Sequence, residues 1–154
     1  MLKKALTLTI VVVAIALVAN TAANAQEPDA TDGGLRARGD GTAVLRGTGL
    51  VDLSGNGILW VKDLSGDAIV RVTGKGHKKE FSDGWIQYAG FDGTAAVAGS
   101  RVHIMLAGVD INLVAFGHGS ACFWDHGTYH NADGAGEWHT NGSGAYVRVT
   151  EAAE

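Results

Sequence analysis

Proline and cysteine are almost missing from this chain, each occurring once in 154 residues, as Pro28 and Cys122. A lone cysteine excludes an intramolecular disulfide framework, so stability has to come from packing. Its neighbours Ala121, Phe123 and Trp124 suggest a strand, which makes Cys122 a buried, inert thiol in expectation. Long apolar runs are missing as well. Residues 5–19 fall short of the roughly 20 that a spanning helix needs, and no later stretch approaches that length. Basic charge is scarce. Beyond residue 25 the chain carries 10 Lys and Arg against 16 Asp and Glu. That balance argues against a nucleic-acid or anionic-lipid partner, because such binding draws on cations that displace counterions from phosphates. The one locally basic stretch, Lys75-Gly76-His77-Lys78-Lys79, reads as a solvated loop tip.

What is present at the N-terminus is a basic start (Lys3, Lys4), an apolar run and a small-residue end, Ala23-Asn24-Ala25. Together these predict a signal peptide over 1–25 with cleavage before Gln26, and export to a periplasmic or extracellular location. No cysteine lies near the cleavage point to take a lipid. Removal leaves 129 residues of the 154, enough for one compact domain, with no transmembrane span expected in the mature chain.

Residues 26–39 are polar, hold the only proline and lack apolar periodicity, which predicts a flexible leader. From 40 to 150 glycine recurs at short intervals between segments rich in Val, Ile, Leu, Trp and Thr, and 151–154 form a tail. This is the pattern of strands and turns. It predicts an all-β fold, a single antiparallel barrel or sandwich of about ten short strands, near 42–46, 50–54, 58–63, 68–73, 85–90, 94–98, 102–107, 111–116, 121–125 and 144–150. Asn56-Gly57, Gly66-Asp67, Gly74-Lys75-Gly76, Gly117-His118-Gly119-Ser120 and Asn141-Gly142 are the expected turns. Strands nearer six residues than the 9–11 that cross a bilayer, and a non-aromatic C-terminus, argue against an outer-membrane barrel.

Asp40-Gly41-Thr42-Ala43 aligns with Asp92-Gly93-Thr94-Ala95, 52 positions on. With one inserted residue, Ile58-Leu59-Trp60-Val61 then falls on Ile111-Asn112-Leu113-Val114. Two pseudo-repeated halves follow from that alignment, with the segment from Gly144 to Val149 expected to pair with the first strand and close the sheet.

The densest polar cluster is late in the chain. His118, Asp125, His126, His130 and His139 are of the types that fill a Zn or Cu shell, although Gly127-Thr128 argues against the helix that would put His126 and His130 on one face. Loop histidines without a cofactor are the expectation, and a metal site is the alternative. Trp60 and Trp124 lie in apolar segments and are expected in the core, whereas Trp85, Trp138 and Tyr129 are the candidates for a carbohydrate-stacking surface. No serine lies in a nucleophile-elbow pattern, and no acid pair can be singled out from sequence. The tripeptide Arg38-Gly39-Asp40 and the acceptor Asn141-Gly142-Ser143 are short enough to arise by chance. The resulting expectation is an exported, non-enzymatic β-scaffold of the cell envelope or extracellular space. Its partner would be a small molecule, a glycan or an envelope component. The alternatives are a metal-binding protein, a carbohydrate-binding module or an enzyme of unassigned residues.

Overall fold

The computed structural model describes residues 34–140 and 144–150. The predicted signal peptide, most of the leader, the Asn141-Gly142 turn with its acceptor triplet, and the tail lie outside the described residues. Those described are all-β, with no helix among them. Five strands, β1 (Gly34–Asp63), β2 (Ile69–Glu80), β3 (Trp85–Asn131), β4 (Gly134–Trp138) and β5 (Ala145–Val149), form one antiparallel sheet in which β1, β2, β4 and β5 all pair with β3.

Ten short strands are therefore replaced by fewer, longer ones, with β1 running 30 residues and β3 47. The reason is glycine. At Gly41, Gly49, Gly57 and Gly117 the chain turns a corner without leaving the ladder, so runs that look separate in sequence stay continuous in hydrogen bonding. Gly49 (φ 142°) faces Gly117 (φ 118°) across the ladder, in backbone conformations that only glycine adopts readily. A Cβ on Gly49 would run into the Phe116 carbonyl, and one on Gly117 into that of Thr48. Asn56-Gly57 and Gly117-His118-Gly119-Ser120 are thus corners inside strands rather than hairpin turns. Gly74-Lys75-Gly76 lies within β2, and of the expected turns among the described residues only Gly66-Asp67 sits in a loop between strands. The basic stretch at 75–79 is an exposed strand edge, not a loop tip.

β1 meets β3 along both of its edges. Val44, for example, lies between Met105 and Cys122, and Trp60 has Gln87 on one side and Met105 on the other. The two long strands are consequently coiled about each other. The corners divide the sheet into two walls: segments 34–40, 50–56, 92–98, 111–116 and 126–131 make one, and 42–48, 58–63, 85–89, 102–108 and 118–124 the other. β4 extends the first wall and β5 the second. Both walls turn alternate residues onto one core, with Leu35, Leu59, Val97, Ile104, Phe91 and Phe123 fully buried. Burying each such side chain contributes about 1.5–3 kcal/mol.

The sheet is open rather than closed. β5 pairs with Gly119–Phe123 of β3 instead of the first strand, because β3 already occupies both edges of β1. Leu35 and Ala37 are core residues, so the sheet already includes Gly34, six positions before the expected domain start. In the proposed repeat, Ala43 and its counterpart Ala95 are both buried, but Leu59 is buried where Asn112 is exposed. The second stretch of that alignment inverts the facing.

Candidate functional site

Because inward residues alternate with outward ones, each wall presents a second face to solvent. The outer face of the second wall is where the aromatic residues collect. Trp60, Trp124 and Tyr146 stand there, displaced outward by the core residues Leu59, Val61, Phe123 and Val147 beside them in sequence, and Trp85 joins them as the cross-strand partner of Lys62. Trp60 stacks on Phe81 at 5.3 Å between centroids and meets Trp85 edge-on at 6.0 Å. Trp85 in turn lies 4.9 Å from the His103 ring, with the Lys62 ammonium 5.6 Å from its own centroid, and Lys79 sits 4.7 Å from the Phe81 centroid.

From Trp60 an unbroken cross-strand row runs through Met105, Val44 and Cys122 to Tyr146. A parallel row runs from Ala89 through Ile58, Ala107 and Thr42 to Trp124. Ile58, Trp124 and Tyr146 are 40%, 46% and 65% exposed. On the other side, Trp85, Lys62, His103, Arg46, Ser120 and Arg148 form a third row. Arg46 Nε donates to His103 Nε2 at 3.1 Å. Burial, then the charges of Arg46 and Lys62, hold the His103 imidazole below its ordinary pKa, so it accepts that bond as a neutral ring. Among the described residues, no Asp or Glu belongs to these three rows.

The site residues expected from sequence are distributed differently. Trp138 is buried at 3% exposure and stacks on Phe123 at 4.6 Å. Tyr129 packs against the same ring at 6.3 Å, so neither shares a surface with Trp85. Trp60 and Trp124, expected in the core, are the outward pair. Cys122 is half-buried on the aromatic face rather than sealed in the interior. The parity of the strand decides these facings, and a one-residue shift reverses every one of them.

The late histidines do not converge either. Asp125 and His126 sit at a corner, where the imidazole stands between two carboxylates, Nδ1 3.1 Å from Asp125 and Nε2 3.2 Å from Asp40. Thr140 donates to Asp125 at 3.0 Å, and the Asp110 amide to Asp40 at 2.7 Å. Hydrogen bonding to Asp125 is the main cause of a raised His126 pKa. Once protonated, this imidazole donates from both nitrogens to carboxylates and has no lone pair to offer a metal. His130 lies on the first wall beside Arg36, His118 pairs with Thr48, and His139 lies 3.4 Å from Glu137. Among the described residues no group of three or more His, Cys, Asp or Glu is arranged to hold a metal ion. Arg38-Gly39-Asp40 runs within β1, its Asp40 engaged by His126.

The first wall's outer face is mixed in charge. A shallow groove of about 480 Å³ there is lined by Arg36, Arg38, Asn112, Thr128, His130 and Glu137 among others. Among the described residues no helix is long and apolar enough to cross a membrane.

No family model, curated protein or solved structure matches this chain.

Proposed function

We propose that the chain is an exported, non-enzymatic β-scaffold of the cell envelope or extracellular space, and that it works by presenting the outer face of its second wall to a partner. One observation carries this reading: the aromatic side chains and the cations Arg46, Lys62, Lys79 and Arg148 occur together there without an acidic side chain in the same rows. Monomeric proteins seldom expose contiguous apolar surface without a use for it, and a rim of one charge sign gives such a surface a preference among partners. The described part is not itself strongly acidic. Of the 16 acids, five lie at or before position 32 or after 150, which leaves 11 against 10 basic residues in the described part.

Export rests on the signal-like sequence of 1–25 and is checked by mass spectrometry of the secreted product, expected to begin at Gln26. The binding face is tested by titrating the mature protein with soluble polygalacturonate, a neutral glucan and phospholipid vesicles while following tryptophan emission. At least one ligand should shift the emission, and Arg46→Glu with Lys62→Glu should remove the shift. A protein whose emission responds to none of the three does not use this face for binding.

A further inference from the structure

Building on that reading, we propose that the partner is an anionic lipid surface, on which the second wall lies flat with Trp124, Tyr146 and Trp60 at headgroup depth. The shape and the composition of the face point the same way. Between Trp60 and Tyr146 the middle of the row is Met105, Val44 and Cys122, and between Ala89 and Trp124 it is Ile58, Ala107 and Thr42. Apart from the Thr42 hydroxyl, the Cys122 thiol and the weakly accepting Met105 thioether, these six side chains have no hydrogen-bonding group. A glycan needs placed donors and acceptors to fix its hydroxyls, and it needs free ring faces on which to stack. Here the Trp60 ring is taken by Phe81 and by the edge of Trp85, and Trp85 by Lys62 and His103, which leaves Trp124 and Tyr146 as the open rings of the face. A second copy paired face to face about a two-fold across the rows would bring Arg46, Lys62 and Arg148 against their own equivalents.

A lipid surface asks for neither. It offers an extended apolar layer that accepts Ile58, Val44 and Met105. At its boundary the amphipathic rings of Trp and Tyr are favoured, and its phosphates attract Lys and Arg. The exposed members are spread along the face, with Tyr146 on β5, Trp124 on β3 and Ile58 on β1, as contact with a plane requires. Arg46, Lys62 and Arg148 lie in a row beside the apolar strip and Lys79 at the end of the Trp60 row, so they can meet headgroups while the strip inserts.

The test uses the mature protein with phosphatidylcholine vesicles, with and without phosphatidylglycerol, in co-sedimentation and in tryptophan emission with brominated acyl chains. Vesicles containing phosphatidylglycerol should be bound at least tenfold more tightly than phosphatidylcholine alone. Emission should shift to the blue, and the brominated chains should quench it. Trp124→Ser with Tyr146→Ser should remove most of the quenching. Arg46→Glu with Lys62→Glu, and separately the exposed Arg148→Glu, should weaken binding several-fold or more. Arg71→Glu on the other wall should leave binding unchanged, and the thermal melt of each variant separates loss of binding from loss of fold. Absence of co-sedimentation with phosphatidylglycerol vesicles, or binding without acyl-chain quenching, overturns the lipid assignment. A response to polygalacturonate without one to vesicles overturns it too but leaves the binding face standing, whereas no response to any of them removes both.

Discussion

The Nε2 of His126 lies 3.2 Å from Oδ2 of Asp40, tying the corner of β3 to the corner of β1 from which the second wall departs. Asp125 holds the other ring nitrogen, from a backbone with φ of 90° that a non-glycine residue seldom adopts. His126, when protonated, thus links two long strands through a hydrogen bond to a carboxylate on each side.

Its pKa is raised from 6.5, chiefly by the hydrogen bond to Asp125, while that of Asp125 is lowered from 3.8, first by the bond to His126. A raised histidine contributes stability that is fully present below its unfolded pKa and is lost as pH rises through the folded one. A lowered carboxylate contributes above its unfolded pKa and loses that contribution as pH falls. The link is therefore strongest between the carboxylate and imidazole ranges. Melting curves of the protein and of His126→Gln should differ most between the two ranges and converge as pH rises through the raised imidazole range. A difference that persists unchanged at alkaline pH would show that His126 acts by packing alone.

Gly49→Ala should be among the most damaging small substitutions, because φ is 142° and the new Cβ would overlap the Phe116 carbonyl. A loss of about 2 kcal/mol or more in urea unfolding is expected. Gly66→Ala provides the control. It shares a positive φ, at 78°, but has nothing within 4 Å of the new Cβ, so only backbone strain of about 1 kcal/mol applies.

Trp138→Ala should cost about 3–5 kcal/mol by emptying the site against Phe123, whereas Trp124→Ala, at a surface position, should cost under about 1 kcal/mol. Trp138 Nε1 is buried without a hydrogen-bond partner among the described residues. Trp138→Phe, which deletes that donor and keeps most of the ring volume, should accordingly cost far less than Trp138→Ala, as chemical denaturation of the three variants would measure.

The loop after β1 hangs on Asp63, whose carboxylate accepts from the amides of Ser65, Gly66 and Ala68 at 2.9, 2.8 and 2.7 Å. The bond from Ala68 is the largest cause of its lowered pKa, so the anchoring is present above about pH 4 and fades as the carboxylate protonates. Asp63→Ala should speed hydrogen exchange at those three amides while leaving exchange in the core segment 102–106 unchanged. Equal acceleration in both places would mean that the loop and the sheet open together.

The sequence alone determined the class of structure. Val, Ile, Leu and Trp in short runs between glycines, with one proline and no helical periodicity, leave no economical alternative to an antiparallel all-β domain with a single core. The glycines themselves were legible as places where the chain turns. Whether a glycine turns a strand back on its neighbour or bends it into the other wall was not, since Asn56-Gly57 is compatible with both and the choice depends on which segments of β3 arrive at its edges. Facing was hidden for the same reason. In Ile58-Leu59-Trp60-Val61 every residue is apolar, so the parity that sends Leu59 inward and Trp60 outward is imposed by neighbouring strands rather than by the local pattern. The binding face is a third case. Its cations lie at positions 46, 62, 79 and 148, and its exposed rings at 124 and 146, with acids between them in sequence. Net charge averages over both walls, and only the coiling of β1 and β3 brings these cations and rings together on one of them, because residues far apart in the chain become neighbours when their strands share a ladder.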